Sequence, residues 1–188
     1  TEIYDFFRLL FARAATAYSY ETGEKMISYQ DDEITQLILS EYTGQKIILL
    51  APVIRSRKGH YRELFEQIAK QGFIKVRIDG EIKNLERGMK VDRYKTHDIE
   101  IVIDRLSVST DENERKRLED SIKTALHYGE NTLMMLEHPS EKIRYFSRNF
   151  MCPTTGIAYP EPEPNTFSFN SPKGACPVCN GLGEKQEV

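Results

Sequence analysis

The sequence predicts an α+β fold in which helices cover a mostly antiparallel sheet. Strands are indicated where apolar and polar residues alternate, over Phe73–Asp79 and over Ile99–Ile103. Helices are indicated where apolar residues recur every three to four positions, as over residues 34–42. The dipeptide Asp79-Gly80 is typical of a tight hairpin turn, which joins antiparallel neighbours.

Composition limits the classes of function. The 188 residues include 26 Lys and Arg against 29 Asp and Glu, so no overall positive charge attracts the chain to nucleic acid or to a membrane. No apolar run approaches the roughly 20 residues that a membrane span needs. Three cysteines are too few for a disulfide framework, and a reducing cytoplasm is the expected compartment. A contact with nucleic acid would need a local basic patch.

The chain divides into three segments by pattern. Residues 1–30 begin with an amphipathic helix over Thr1–Ala15, followed by a connector with a short strand at Lys25–Ser28. Residues 31–150 form the compact α+β domain. Residues 151–188 hold six of the eight prolines, which argues against regular helices there. Because the opening helix has no lead-in, we expect the chain to be a piece of a longer protein.

The central segment can be read element by element. Gly44 and Gly72 are placed to end the first two helices, and Pro52 is expected at the end of a nearly continuous apolar strand. Asp111 and Glu114 resemble a capping box. The predicted elements are, in order, a helix over 34–42, a strand over Lys46–Ile54, a basic loop over Arg55–Gly59, a helix over 61–69, strands over Phe73–Asp79 and Glu81–Lys83, a strand ending near Asp104–Leu106, a helix over 112–126, and strands over Thr132–Glu137 and Ile143–Phe146.

One face of the alternating strand is a candidate recognition surface. Lys75 and Arg77 should project on the side away from the core, together with Phe73, and Arg105 should join them if its strand is the neighbour. Cations beside an aromatic ring on a rigid sheet are typical of protein interfaces, although most such pairs are simply hydrated. In a net-negative chain, an acidic protein partner is at least as plausible as phosphate.

The cysteines outline a zinc ribbon that lacks one ligand. Cys176-Pro-Val-Cys179 has the spacing of half a tetrahedral site, and Cys152-Pro-Thr-Thr155 repeats the outline with a hydroxyl in place of a thiolate. We expect a ribbon that is held by prolines and packing, without metal. A Cys152 nucleophile paired with His138 has no support from spacing, and no phosphate-binding or hydrolase motif is present.

Residues 167–172 and 174–177, together with Thr1–Arg13, Gln71–Glu81 and Ile103–Arg105, carry a resemblance to one family, the UvrA family of DNA-repair proteins. Phe167-Ser-Phe-Asn-Ser-Pro172 and Gly174-Ala-Cys-Pro177 resemble the stretch around the family's first zinc module. Thr1–Arg13 is similar to the helix before the family's UvrB-binding insertion, and Gln71–Glu81 with Ile103–Arg105 resembles its interior.

The resemblance implies a docking module for UvrB. The parent would be a homodimeric ATPase that scans DNA, with ATP and Mg²⁺ bound outside these residues and no membrane partner. The family's contact with acidic groups of UvrB maps here onto Lys75 and Arg105, with Arg77 adjacent. Zinc in the family's manner would use Cys152, Cys176 and Cys179, but Thr155 and the stretch Ser19–Thr22 lack thiolates that relatives carry.

A nucleic-acid-binding module is the alternative. It would use the ribbon of residues 151–188 and the basic set Arg55, Arg57 and Lys58, which can reach phosphate or simply remain hydrated. The two hypotheses differ in whether the partner is an acidic protein or DNA.

Overall fold

The computed structural model describes residues 2–184 and confirms an α+β fold with an antiparallel sheet. Thr1, with which the first predicted helix begins, and residues 185–188 of the third predicted segment lie outside the described residues. No helix among those described is both long and apolar enough to cross a lipid bilayer. The helices are α1 (Glu2–Ala14), α2 (Asp31–Tyr42), α3 (Arg62–Lys70) and α4 (Glu112–Tyr128), with one 3-10 helix at Pro164–Phe167. The strands are β1 (Lys46–Lys58), β2 (Lys75–Ile78), β3 (Glu81–Asn84), β4 (Thr96–Ser107), β5 (Thr132–His138), β6 (Ile143–Ser147), β7 (Phe150–Met151) and β8 (Ala158–Tyr159).

Six strands form the main sheet in the order β3-β2-β4-β1-β5-β6, and every neighbouring pair is antiparallel. The hairpin between β2 and β3 turns at Asp79 and Gly80, which both have positive φ (51° and 93°), as the dipeptide predicted. β7 and β8 make a separate two-stranded ribbon. Local turn chemistry therefore fixes the hairpin, whereas strand order depends on long-range packing.

All three helices of the central segment pack on one face of the sheet. The larger core joins α2 and α4 to β1 and β5 through residues such as Ile38, Ile122, Leu49 and Met135. A second core joins α3 to β2 and β4, and Phe65 is 1% exposed within it. These two cores hold most of the buried apolar residues, and burying each such side chain contributes roughly 1.5–3 kcal/mol.

The opposite face, here called the outer face, carries a smaller cluster made of strand residues. Its buried members are Ile48, Leu50, Met134 and Leu136, and Tyr145 packs against them. Residues Ile47–Pro52 of β1 are all buried because alternate side chains point towards the helix-covered cores and towards the outer cluster. The predicted strand covered on both sides is confirmed.

β1 is longer than the sequence indicated. The predicted loop over Arg55–Gly59 and the placement of Pro52 at the strand end are both wrong, because β1 continues to Lys58. Pro52 is tolerated in mid-strand because β5 pairs with β1 only as far as Leu50, and the pairing with β4 shifts register between Pro52 and Ile54. The missing N–H therefore falls where the ladder is already interrupted.

β2 begins two residues later than the strand predicted over Phe73–Asp79. β2 begins at Lys75, and the two residues before it exchange their expected sides: Ile74 is 73% exposed, and Phe73 packs edge-on against Tyr128 at 4.9 Å between ring centroids. Phe73 belongs to the α3 core and not to the cationic face. A period of two holds only while the chain is extended.

His97 fastens the loop after β3 to the β2–β3 hairpin. Its Nδ1 lies 2.7 Å from an Asp79 carboxylate oxygen and its Nε2 lies 2.8 Å from the Asp92 carbonyl oxygen. Both partners are acceptors, so the protonated ring can donate to both of them, whereas the neutral ring can donate to only one. The hydrogen bond to Asp79 is the main cause that raises the pKa of His97, and the Asp92 carbonyl adds to it.

The chain enters and leaves the central segment side by side. Ile27 and Met151 exchange backbone hydrogen bonds of 2.9 Å in both directions, and the Tyr29 N–H donates to the Ser147 carbonyl oxygen at 2.8 Å. The predicted strand at Lys25–Ser28 is reduced to isolated bridges. Beyond this junction, α1 packs against the 3-10 helix at Pro164–Phe167.

The hydrogen bonds of His97 to Asp79 and to the Asp92 carbonyl, here called the His97 latch, make stability depend on pH in a known direction. A raised pKa means that the folded protein holds the proton more tightly, so the stabilisation is complete at low pH and is lost as pH rises through the folded pKa. In a series from about pH 6 to about pH 9, we expect the unfolding free energy of the wild type to fall relative to His97→Gln, by at most about 1.4 kcal/mol per pH unit.

Urea denaturation followed by circular dichroism at each pH gives the difference between the two proteins. Asp79 opposes this trend only at low pH: burial would raise its pKa, but the Asp98 N–H and His97 lower it overall, so its contribution is lost as pH falls. Parallel pH profiles for wild type and variant across the alkaline range would contradict the latch.

Candidate functional site

The outer face positions Lys75 and Arg77 through the alternation of β2. Val76 and Ile78 are buried in the α3 core, so their neighbours Lys75 and Arg77 point the other way. Arg77 lies opposite Ile82 of β3, which packs against the outer cluster. The predicted sides of these two cations are confirmed by the packing.

Arg105 reaches the same face through β4. It lies opposite Ile48 in the β1–β4 pairing, and residues directly opposite one another share a face. β4 gains one residue at Ile103, because Leu49 lies opposite Asp104 and Leu50 lies opposite Val102. This bulge turns Arg105 outward. β2 and β4 are neighbours, so Lys75 and Arg105 project from adjacent strands.

The three predicted partner-binding cations are not equivalent. Lys75 and Arg105 are exposed, and neither makes an ion pair within the part of the chain that is described. Arg77 instead faces Glu100 on β4, with 3.3 Å between Nη1 and Oε2, and their side chains are only 14% and 7% exposed. The charge of Arg77 is therefore used within the sheet, whereas those of Lys75 and Arg105 are available.

Glu100 is the acidic centre of this face. Burial is the main cause that raises its pKa, and the positive charge of Arg77 opposes that rise. Arg55 stands nearby, because its guanidinium covers the Tyr145 ring at 5.1 Å from the centroid and donates to the Gly156 carbonyl oxygen at 2.5 Å. The cluster thus ties the tail to the sheet and sets Arg55 apart from the exposed basic set.

Three turns of the chain share one hydrogen-bonded design. In each turn the N–H of the fifth residue donates to the carbonyl oxygen of the first, at 2.9 Å in Ser19–Gly23, 2.9 Å in Cys152–Gly156 and 2.7 Å in Cys176–Asn180. The fifth residue has positive φ in all three, between 50° and 70°. The first and fourth side chains of such a turn project together, which is the arrangement of a zinc knuckle.

The first two turns face each other around Cys152. Its buried sulfur lies 3.3 Å from the Thr22 hydroxyl and donates to a Glu24 carboxylate oxygen at 3.2 Å. The hydrogen bond from the Thr154 hydroxyl is the main cause that lowers the pKa of Glu24, so this carboxylate is an ionised acceptor. Hydroxyls and one carboxylate thus occupy the positions around Cys152.

The third turn stands apart from that cluster. Backbone N–H groups of Val178 and Cys179 lower the pKa of Cys176, and the Gly183 N–H donates to the Cys179 sulfur at 3.3 Å. Within residues 2–184 no three His, Cys, Asp or Glu side chains converge to hold a metal. Cys152 and the pair Cys176 and Cys179 therefore do not form one ligand set in the described structure.

Comparison with known proteins identifies the family. The model of the UvrA interaction domain matches residues 30–139. The chain belongs to the UvrA family. It is 47% identical over 191 residues to UvrABC system protein A of Methanothermobacter thermautotrophicus, 44% over 189 residues to that of Thermus thermophilus, and 43% over 188 residues to that of Bacillus subtilis. Each alignment covers the whole chain and about a fifth of the relative, 19–20%.

The family match includes the whole candidate surface. Residues 30–139 run from the end of the connector to the end of β5 and contain Lys75, Arg77 and Arg105. The cysteine turns at Cys152 and Cys176 lie beyond the match. The interaction domain of this UvrA-family chain is therefore the segment that carries the exposed cations Lys75 and Arg105.

Sequence reasoning missed Glu100 and the contacts of Cys152 with Thr22 and Glu24. A single carboxylate inside the apolar run Ile99–Ile103 was a signal that a cation must lie across the sheet. The five-residue segments Ser19–Gly23 and Cys152–Gly156 also share a visible pattern: a polar or thiol side chain at the first position, a hydroxyl at the fourth and glycine at the fifth. Spacing alone did not show which turns face each other.

The Arg77–Glu100 pair predicts unequal effects of neighbouring substitutions. Arg77→Ala leaves a buried carboxylate without its cation, so we expect the free energy of unfolding to fall by about 3 kcal/mol. Lys75→Ala removes an exposed side chain two residues away and should change it by less than about 0.5 kcal/mol. Urea titrations of both variants measure the difference.

The double variant Arg77→Ala with Glu100→Ala is the matched control. Removing both charges should recover part of the loss, because no unpaired buried charge remains. Equal stability of Arg77→Ala and Lys75→Ala would show that the pair contributes nothing.

The hydrogen-bonded turns predict a sheet that does not depend on metal. Removing a structural zinc normally unfolds a small metal domain, but here Cys152 is satisfied by Thr22 and Glu24. We expect a strong chelator to shift the melting temperature of the main sheet by less than about 2 °C. Thermal unfolding by circular dichroism, with and without chelator, makes the comparison.

A gain-of-ligand variant tests the same geometry from the other side. Ser19→Cys, Thr22→Cys and Thr155→Cys together place four thiols around one point, and the variant should bind Co²⁺ with tetrahedral thiolate absorption bands. Thr22→Cys alone is the control. An unaltered Co²⁺ spectrum in the four-thiol variant would mean that the two turns do not face each other.

Proposed function

We propose that this chain is the protein-interaction module of a UvrA-family ATPase and that it docks UvrB through the outer face of its sheet. The observation that supports the proposal most directly is the exposed, unpaired pair Lys75 and Arg105 on adjacent strands of the matched interaction domain. Exposed cations held on a rigid sheet suit an acidic protein surface.

The sheet gives this surface its rigidity. Lys75 projects from a strand paired on both sides, between β3 and β4, and Arg105 projects from a strand paired with β1. Less conformational freedom is lost on binding when the backbone is already fixed. Arg77 supports the surface from within, because its pairing with Glu100 neutralises a buried charge on the strands that carry Lys75 and Arg105.

The remaining roles belong to the longer protein. Because the chain spans about a fifth of its relatives, ATP and Mg²⁺ binding, homodimer formation and lesion search on DNA are proposed for the parent and placed outside these residues. Excision repair, in which the parent loads UvrB, is the process we assign to it. No step of nucleotide hydrolysis is assigned to this chain.

Zinc binding stays a prediction. Cys176 and Cys179 have the sequence spacing of half a tetrahedral site on a hydrogen-bonded turn, and two further ligands would have to come from outside the described residues. Cys152 fits this set less well, because its sulfur is directed to Thr22 and Glu24. The alternative, a nucleic-acid-binding module built on a complete zinc ribbon, would need four ligands in one place, and residues 2–184 contain no such site.

The proposal predicts that charge reversal at the outer face abolishes docking without unfolding the domain. Arg105→Glu should weaken binding to purified UvrB by roughly 2 kcal/mol or more, because a cation that meets a carboxylate becomes a repelling charge. Lys75→Glu should act in the same direction. Isothermal titration calorimetry measures both, and circular dichroism confirms that the variants fold.

Lys116→Glu on α4 provides the matched control, because it makes the same charge change on the helix-covered side. It should bind UvrB like the wild type. Undiminished binding by folded Arg105→Glu and Lys75→Glu would move the docking site away from the outer face. Absence of binding by the folded wild type would mean that docking requires the parent protein.

A further inference from the structure

A second cationic surface lies at the opposite end of β4 from Arg105. Two segments, residues 57–60 and 90–95, are brought together there: Lys58 lies opposite Thr96 in the sheet, and the Val91 N–H donates to the His60 carbonyl oxygen at 3.1 Å. These ten residues carry five cations and one carboxylate, in a chain whose net charge is −3. The surface, here called the cationic end, comprises Arg57, Lys58, Lys90, Arg93 and Lys95.

The cations of this surface are available for a partner. All five are exposed, and none makes an ion pair within the described range. Of the nearby carboxylates, Asp79 pairs with His97. Asp98 and Asp92 accept hydrogen bonds from the Ser56 and Tyr94 N–H groups, at 2.7 and 3.0 Å. Five exposed cations against the single carboxylate of Asp92 in so few residues attract a polyanion.

An aromatic ring stands at the centre of the cationic end. Tyr94 is 75% exposed and is flanked by Arg93 and Lys95, and the Arg93 guanidinium lies 5.2 Å from the centroid of its ring. The turn that presents it is fixed, because the Asp92 carboxylate accepts from the Tyr94 N–H at 3.0 Å and the Asp92 carbonyl accepts from the Lys95 N–H at 3.2 Å. An exposed planar ring held on a fixed turn is a platform for stacking.

We propose that the cationic end binds single-stranded nucleic acid. Cations that neutralise successive phosphates, together with an exposed aromatic ring on which an unpaired base can stack, are what sequence-tolerant single-strand binding requires. Within residues 57–60 and 90–95 Tyr94 is the one exposed large apolar side chain, so the surface lacks the apolar area of a protein-interface hot spot. An acidic protein would therefore use the charges alone. A duplex would likewise engage only the charges, because its bases are stacked on one another.

This site is independent of UvrB docking and of the cysteine turns. Arg105 lies nine residues further along β4 than Thr96, a separation of roughly 30 Å in an extended strand. Both surfaces can therefore be occupied at once.

Fluorescence anisotropy with the 188-residue chain tests the proposal. The probes are a labelled oligonucleotide with mixed sequence and the duplex made from it, each titrated across a range of salt concentrations. We expect the single strand to bind more tightly than the duplex. The affinity of Lys90→Glu with Lys95→Glu should fall at least tenfold, and the slope of log affinity against log salt should decrease by about 1.4, which corresponds to two phosphate contacts.

The stacking role has its own variant. Tyr94→Ala should weaken single-strand binding about tenfold while the salt slope stays unchanged, and Tyr94→Phe should retain the affinity. The matched controls are Lys116→Glu with Lys123→Glu on α4, which make the same change in net charge, and Tyr20→Ala, which removes a ring that is 99% exposed. Both controls should bind like the wild type.

Three outcomes would overturn the proposal. The proposal is wrong if the wild-type chain binds no oligonucleotide at low salt. Equal losses in the α4 control and in the Lys90 and Lys95 variant would assign the binding to net charge. If the chain bound a poly-glutamate peptide and not the oligonucleotide, and if Tyr94→Ala bound that peptide as tightly as the wild type, the surface would be assigned to an acidic protein.

Discussion

The architecture depends on the burial of β1 on both faces. Six consecutive residues, Ile47–Pro52, are shielded from water, and a strand of this kind needs a cover on each side and a neighbour on each edge. α2 and α4 cover one side, and the side chains of neighbouring strands cover the other. The free cations of the outer face are held in position because the strands that carry them are built onto this one.

The two ends of the sheet carry different surfaces for one physical reason. β4 is twelve residues long and extends past its shorter neighbour β2, so its beginning and its end both reach beyond the paired region. At one end Arg105 lies next to apolar strand residues, and at the other the loop before β4 supplies lysines, arginines and a tyrosine. A single long strand thereby separates a surface suited to an acidic protein from one suited to a polyanion with bases.

Local chemistry made much of the fold readable from the sequence. Positive φ at Asp79 and Gly80 and the cap of α4, where the Asp111 carboxylate accepts from the Asn113 and Glu114 N–H groups, depend on residues close in sequence. Errors arose where a distant segment decides. Phe73 turns inward because Tyr128 is there to receive it, although the two residues are 55 positions apart.

The candidate site shows the same division. Alternation placed Lys75 and Arg77 on one face, but only the pairing of β2 with β4 shows that Arg77 meets Glu100 and is neutralised. Spacing identified the cysteine turns, whereas the contact of Cys152 with Thr22 joins residues 130 positions apart. Which charges are free, and which turns face each other, are properties of the tertiary structure.

The paired entry and exit of the central segment have a mechanical consequence. A module attached by one strand of chain swivels freely, but here Ile27 and Met151 are hydrogen-bonded to each other in both directions where the chain goes in and comes out. Two adjoining strands resist torsion and leave bending as the easiest motion. A load applied by a protein held at the outer face would therefore be transmitted to the rest of the polypeptide as a tilt about this junction, along a defined direction.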